Sequence, residues 1–258
     1  MRILITNDDG AYSDGIRILR KHLSRHAGAL IVAPATQQSG GGHSITLFHP
    51  LRVKTLHENG ETIGYMVSGS PADCVKIGIC EFMKDGAPDV VVSGINPGGN
   101  LGTNLFYSGT VSGAMEALLM GYPAIAVSFD REEDPDYEYG AQLTERLLLE
   151  LEKLGFPKCL LNVNIPSVPI ERIKGIKVTR QGFMRYTENF NKRVDPRGST
   201  YYWLEGERVH IEDELDGDSA AVSQGYISVT PLFYDLTDNK HIKTAQTVVE
   251  NLQKTPIR

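Results

Sequence analysis

The stretch Met1-Arg2-Ile3-Leu4-Ile5-Thr6-Asn7-Asp8-Asp9-Gly10 decides how the rest of the chain is read. Ile3 to Thr6 is a short apolar run without polar alternation, the pattern of a strand buried on both faces of a parallel sheet. It ends on two carboxylates and a glycine. Four more runs share its character: Ala29 to Ala33, Asp89 to Ser93, Ala124 to Phe129 and Cys159 to Ile165. Between them the spacing of apolar residues predicts helices over residues 15 to 26, 71 to 83, 110 to 120 and 138 to 154. In the last, Leu143, Leu147, Leu151 and Leu154 form a core-facing stripe. Strands alternating with helices predict an α/β fold built on a mostly parallel sheet.

Two regions interrupt the alternation. Residues 50 to 67 read as two strands around His57-Glu58-Asn59-Gly60-Glu61, whose Asn-Gly pair signals a hairpin that protrudes from the βα pattern. From Val178 to about Leu236 the chain is irregular, with Tyr201-Tyr202-Trp203 and a strand-like run at Gly225 to Leu232, and is expected to be an excursion from the core. Ile242 to Leu252 is amphipathic and predicts a closing helix or an arm that packs on another subunit. The 258 residues are expected to form a single α/β domain, with about 178–258 as excursion and carboxyl-terminal arm used in oligomerisation.

Composition narrows the function classes. A chain of this length buries a core without disulfides or a structural metal. Cys74, Cys80 and Cys159 are too few and too widely spaced for a thiolate zinc site and are expected to be reduced and mostly buried, as suits the cytoplasm. The apolar run at the amino terminus is too short for a signal-peptide core or a membrane span. With 26 basic and 32 acidic residues the net charge is −6, and no basic run could track a polymeric nucleic acid. Neither membrane nor nucleic-acid polymer is an expected partner.

In open α/β sheets ligands bind beyond the carboxyl ends of the strands. Three loops there carry polar chemistry: Asn7-Asp8-Asp9-Gly10, Gln38-Ser39-Gly40-Gly41-Gly42-His43-Ser44 and Ser93-Gly94-Ile95-Asn96-Pro97-Gly98-Gly99-Asn100. Adjacent residues of a strand point to opposite faces, but Gly10 permits a bend that brings both carboxylates into one crevice. Two carboxylates about 4 Å apart repel by roughly 4 kcal/mol at an effective dielectric of about 20, so such a pair shares a proton or binds a cation. Ser39 and Asn96 would add neutral oxygens, giving an all-oxygen set that suits Mg²⁺ or Mn²⁺ rather than zinc. The plainer alternative is that Asp8 and Asp9 cap a helix or solvate a turn, that Ser39 lies in a flexible connection, and that Asn96 is a turn residue.

Tyr107-Ser108-Gly109-Thr110-Val111 precedes a predicted helix, so free backbone N–H groups and two hydroxyls could cradle an anion, or Ser108 or Thr110 could simply cap the helix. A cation site and an anion cradle on one rim fit phosphoryl transfer. No P-loop sequence is present, the turn after the first strand is acidic where a dinucleotide fold needs glycines, and the Asp-Asp pair lacks the Asp-x-Asp spacing of aspartyl-phosphate enzymes. Attack by metal-activated water is the simpler mechanism. His43 is a candidate proton donor or a loop hydrogen-bonding residue. Asp73, in Gly69-Ser70-Pro71-Ala72-Asp73-Cys74, is expected in the first turn of a helix begun by Pro71.

These motifs resemble the SurE family, the survival-protein nucleotidases. The resemblance spans most of the chain, through Ile5 to Gly10, Gln38-Ser39-Gly40, Pro71 to Val75, Val92 to Asn96, Tyr107 to Val111, Pro123 to Ser128, Asn162-Val163-Asn164, Val178 to Gly182, Asp195 to Gly198, Tyr201 to Trp203 and Thr230-Pro231-Leu232. Two departures are Ser13-Asp14-Gly15, where the family often has Ala-Pro-Gly, and Ser70 in place of a frequent threonine. The resemblance implies a Rossmann-like three-layer core and a homodimer or homotetramer formed partly by exchange of carboxyl-terminal segments. It implies one divalent cation per subunit, Mg²⁺ or Mn²⁺, held by Asp8, Asp9, Ser39 and Asn96, with Asp8 and Asp9 central to catalysis. Phosphate or substrate contacts are expected at Asn7, Gly40, Ser108, Gly109 and Thr110. The implied activity is hydrolysis of nucleoside 5′-monophosphates, and of 3′-monophosphates in some members. The alternatives are exopolyphosphatase or sugar-phosphate phosphatase action, or a non-catalytic module that binds metal and phosphate.

Overall fold

The computed structural model of the chain describes residues 1–26, 28–130, 134–187, 189–206, 208–209 and 216–254. Its centre is a nine-stranded sheet. In chain order the strands of that sheet are β1 (Arg2–Thr6), β2 (Gly28–Pro34), β3 (Val53–Glu58), β4 (Glu61–Val67), β5 (Val90–Pro97), β6 (Ala124–Phe129), β7 (Leu160–Ile165), β8 (Ile176–Val178) and a last strand, Ile227–Leu232. Across the sheet the order is β3-β4-β2-β1-β5-β6-β7, then Ile227–Leu232, then β8. Only the β3/β4 pair and the pairing of Ile227–Leu232 with β7 are antiparallel.

The apolar runs explain the layers. Side chains alternate across a strand, so Ile3 and Ile5 of β1 face one side with Val90 and Val92 of β5, while Leu4 and Val91 face the other. The first side is covered by α1 (Asp14–Leu23) and α4 (Tyr137–Lys153) through Ile16, Leu19, Leu148 and Leu151. The second is covered by α2 (Pro71–Ile77) and α3 (Gly109–Leu119) through Cys74, Val75, Val111 and Ala114. Both faces are dry, which is why these strands carry no polar alternation. The result is a three-layer α/β core of the expected kind.

The chain leaves β1 for β2 on one side and returns through β5 on the other. That reversal opens a crevice beyond the carboxyl ends of β1 and β5. The expected hairpin is β3 and β4, joined by Asn59 (φ 51°) and Gly60 (φ 83°), both left-handed as its tight turn requires, but it does not protrude: β4 pairs in parallel with β2 and the hairpin forms one edge of the central sheet.

Part of the expected excursion belongs to the core instead. The strand Ile227–Leu232 lies between β7 and β8 with Ile227 and Val229 buried. The remainder does leave the sheet. It comprises β9 (Arg185–Tyr186), β10 (Asn189–Val194), β11 (Thr200–Glu205) and β12 (Arg208–Val209), which pair in two small antiparallel ribbons. A short α5 (Asp218–Ser223) precedes the core strand, here β13, and α6 (Ile242–Lys254) follows it with its described side chains exposed. Residues 188, 207, 210–215 and 255–258 of the expected excursion and arm lie outside the described residues. Of the cysteines expected to be mostly buried, Cys74 is buried, Cys159 half-buried and Cys80 exposed. No helix among the described residues is long and apolar enough to cross a membrane.

Ile5 is fully buried under α1, two residues before the turn that carries the acidic pair. Truncation there leaves a cavity, so Ile5→Ala is expected to cost about 2–5 kcal/mol, read as a lower urea midpoint with an unchanged denaturant slope.

Candidate active site

The crevice beyond β1 and β5 encloses about 520 Å³ and is lined by Asp8, Asp9, Ser39, Gly40, Asn96 and Ser108 among others. All four expected cation ligands therefore face one space, delivered by three separate segments of chain. The turn after β1 is closed by Asn7 and Gly10. The Asn7 carboxamide accepts from the Gly10 N–H at 3.2 Å and donates to the Gly10 carbonyl at 3.0 Å and to Ser13 Oγ at 2.7 Å. Gly10 takes φ 102°, a left-handed value that admits few side chains, and this bend presents Asp8 and Asp9 to the same crevice. Asn7 itself is buried with its amide spent on the turn, so the structure places it behind the crevice, away from the substrate position expected for it.

The start of α3 meets Asp8 directly. Thr110 Oγ1 donates to Asp8 Oδ1, and the backbone at Gly109 and Thr110 also hydrogen-bonds this carboxylate. A Cβ on Gly109 would sit 2.5 Å from Asp8 Cβ, so only glycine allows this approach. Ser108 caps the helix by accepting from the Val111 N–H at 3.0 Å, and of the three expected anion-binding residues it alone lines the crevice. The anion at this helix start is the chain's own Asp8. Gly109 and Thr110, expected to meet phosphate, hydrogen-bond this carboxylate.

Asp9 is in the opposite condition. Its Oδ2 is buried and has no hydrogen-bond partner. Burial first and the charge of Asp8 second push the Asp9 carboxyl up to about 7. Burial likewise raises Asp8, against the hydrogen bonds from Thr110 and the neighbouring backbone that favour its charged form. The same negative potential, after burial, helps push the nearby Tyr137 phenol up to about 12. An unpartnered buried carboxylate oxygen beside a second carboxylate is the condition a bound cation relieves.

The remaining oxygens suit that role. Asn96 Nδ2 donates to the Gly98 carbonyl at 2.5 Å, which fixes the amide and turns its carbonyl oxygen into the atom of this side chain suited to a cation. Asn96 reaches this position because β5 carries an extra residue against β6, with Ser93 opposite Ala126 but Asn96 opposite Ser128. Gly94 lies in that irregularity at φ 133°, where a Cβ would come within 2.5 Å of the Val127 carbonyl. Ser39 Oγ accepts from Gln37 Nε2 at 2.9 Å. Among the described residues no three histidine, cysteine, aspartate or glutamate side chains are placed to hold a metal together. A cation here would rest on two carboxylates, neutral oxygens and water, which fits Mg²⁺ or Mn²⁺.

The structure adds wall residues to which the sequence assigned no role: Asn100 and Tyr107, at the edges of quoted motifs, and Gln37, Asn104, Asp130 and Met184. Asp130 directly follows β6, so the rule that found Asp8 and Asn96 also finds it. Asn100 anchors the floor. Its N–H donates to Asn164 Oδ1 at 2.8 Å, its Nδ2 donates to Ser128 Oγ at 2.8 Å, and its carbonyl accepts from Asn162 and Asn164 at 2.8 and 3.1 Å. Met184 arrives from the segment after β8 and carries no local signal. His43, the candidate proton donor, does not line the crevice and bonds Glu116 instead. Asp73 sits in the first turn of α2 in a reciprocal cap with Ser70, as its position after Pro71 predicts.

A family model described as survival protein SurE matches residues 3–188. The chain is 48% identical over 245 residues to the 5′-nucleotidase SurE of Syntrophobacter fumaroxidans, covering 95% of this chain and 98% of that protein. It is 45% identical over 259 residues to the 5′-nucleotidase SurE of Carboxydothermus hydrogenoformans, covering 98% of each. The crystal structure of the SurE protein from Aquifex aeolicus superposes with a TM-score of 0.83 at 42% identity, over 96% of this chain and all of that one.

The Asp9 shift has a thermodynamic consequence. Its folded-state value, about 7, lies above the 3.8 of an unperturbed aspartate, so the folded protein holds the extra proton. Stability from this group is full below the lower value and is lost as pH rises through the upper one. In EDTA, wild type is expected to lose stability relative to Asp9→Asn as pH rises from about 4 to about 7, measured by urea unfolding of both proteins.

Proposed function

From the premise that the chain belongs to the survival protein SurE family, we propose that it is a divalent-metal-dependent phosphomonoesterase hydrolysing nucleoside 5′-monophosphates to nucleoside and phosphate. The observation that carries the reading is the crevice itself, in which Asp9 presents a buried, unpartnered oxygen beside Asp8, Ser39 and Asn96. Those four side chains are the proposed holders of one cation, Mg²⁺ or Mn²⁺. A cation held there would supply charge to neutralise phosphate oxygens and to make water nucleophilic at neutral pH.

The chain's own residues set the geometry of the step. Thr110 and the α3 start orient Asp8 and favour its charged form against the burial that raises its carboxyl, so Asp8 enters the reaction held in place. Asp9 has no such donor on Oδ2, which leaves its charge to be balanced within the crevice. Ser108 and Gly40 line the same wall and are positioned to meet substrate oxygens, while Asn104, Tyr107 and Met184 offer polar and apolar surface for the rest of the nucleotide. Asn7, Gly109 and Thr110 support the site from behind.

The exposed outer elements support a further part of the proposal, that the active form is a homodimer or homotetramer. Tyr201, Tyr202, Trp203 and Leu204 of β11, and Ile242, Val248, Val249 and Leu252 of α6, are large apolar side chains left in water. Such patches mark association surfaces. The cytoplasm is the proposed compartment, where nucleoside monophosphates are available to a chain with free cysteines.

Phosphate release measured over 5′- and 3′-nucleotides, short polyphosphates and sugar phosphates is expected to be fastest on 5′-nucleotides. Asp8→Asn is expected to lower kcat/KM on the best substrate by more than about a hundredfold with an unchanged near-ultraviolet circular dichroism spectrum, and EDTA to do the same reversibly. Full activity in that variant, or after exhaustive chelation, would overturn the metal mechanism.

A further inference from the structure

The segment that carries Ser39 and Gly40 has no regular secondary structure, and residues 39 to 45 are exposed apart from a half-buried Gly42. An exposed loop without an apolar anchor holds its position only through directed contacts. On this loop they are polar and fall at its two ends. At the near end the Gln38 N–H donates to the Asp8 carbonyl at 2.7 Å. At the far end, Gly42 N–H donates to the Tyr107 carbonyl at 3.1 Å and Ser112 Oγ donates to the Gly42 carbonyl at 3.0 Å. Ser70 Oγ donates to the Ser44 carbonyl at 2.6 Å, and Asp73 accepts from Thr46 N–H and Oγ1 at 2.9 and 2.7 Å.

One tether has a charged partner in the interior. Ser108, Ser112 and Glu116 follow each other at intervals of four and so share one face of α3. Ser108 lines the crevice, Ser112 holds Gly42, and Glu116 meets His43 Nε2 through Oε2 at 2.7 Å. Glu116 is only 4% exposed on a helix otherwise dominated by apolar and small buried residues. Its other oxygen accepts from Lys76 Nζ of α2 at 2.5 Å. A carboxylate is costly to bury, and the proposed chemistry does not use this one. The helix that fixes Asp8 at its first turn therefore also fixes the Ser39 loop two turns later.

We propose that Glu116, acting through His43, is a positioning residue of the crevice: it clamps the loop so that Ser39 and Gly40 stay opposed to Asp8 and the start of α3. The inference rests on the reading of Ser39 as a cation ligand. Burial raises the Glu116 carboxyl, but the hydrogen bonds from His43 and Lys76 outweigh this and hold it below the usual range, so the clamp is an ion pair whenever His43 is protonated. With His43 neutral, it remains a hydrogen bond from Nε2–H to the carboxylate.

The test uses the full chain and four proteins: wild type, His43→Ala, His43→Gln, which keeps a donor for Glu116, and Lys76→Met, which removes the partner that Glu116 has on α2. Two readouts are taken, amide exchange at Gly41 and Gly42 in the metal-free protein, and Mn²⁺ affinity by titration calorimetry. His43→Ala is expected to speed exchange and to weaken Mn²⁺ binding by about tenfold, the usual scale for support residues of a metal site. His43→Gln is expected to recover most of both losses, and Lys76→Met to leave Mn²⁺ affinity unchanged. Unchanged exchange in His43→Ala would overturn the clamp. Faster exchange with unaltered Mn²⁺ affinity would reduce it to a structural tie and overturn the positioning role. A wild type that binds no Mn²⁺ would overturn the cation reading itself, an outcome separate from the first two because it appears without any substitution.

Discussion

The contact on which the site depends is the grip of α3 on the Asp8 carboxylate. A helix start offers unpaired N–H groups and a partial positive charge, and here both are spent on a side chain of the same protein. The contact demands glycine at position 109 and a hydroxyl at 110, and it joins the end of β1 to α3 behind the crevice. Its consequence is asymmetry between neighbours in sequence. Burial raises both carboxyls, but Asp8 has hydrogen-bond donors that favour its charged form, while Asp9 is buried with no partner on Oδ2, a difference that simple repulsion would not create. A crevice with one settled carboxylate and one unsettled one is prepared for a positive charge beside Asp9.

How much of this was legible in the sequence depended on which face of an element was buried. The five strands read correctly all lie between two helix layers, where burial on both faces writes an unbroken apolar run. The strand missed as a core element, β13, alternates Ile227 and Val229 with Ser228 and Thr230, the usual mark of a half-exposed strand. Ser228 and Thr230 are nevertheless buried, because Thr179 supplies hydroxyl partners for both at 2.8 and 2.7 Å. A polar cluster satisfied from a residue fifty positions away leaves no local trace.

The site divides in the same way. Strand ends at a reversal of sheet order are positions that topology selects, so Asp8, Asp9 and Asn96 could be placed from the order of runs alone, and Asp130 obeys the same logic. Side-chain direction is another matter. Asn7 and Thr110 are one and two residues from crevice-lining positions, yet turn to the Gly10 bend and to Asp8. Only the completed turn and helix decide which way they point. Met184 enters the wall by a chain excursion that no spacing rule predicts.

The walls of the crevice are unequal in what holds them. Asp8, Asp9 and Asn96 sit at the ends of strands whose apolar residues are fully buried, so their positions share the global stability of the fold. Ser39 and Gly40 sit on a segment held by a handful of polar contacts, and such a segment opens at far lower free energy. A ligand that needs the loop in place binds more weakly by the fraction of time it is out of place. On the proposed reading of Ser39 as a ligand, the contacts that keep this neutral serine beside the two aspartates therefore add to the strength of the crevice for a cation. This makes the buried Glu116 intelligible: a charge that would be a burden in an ordinary helix sits where it holds a wall that the core does not.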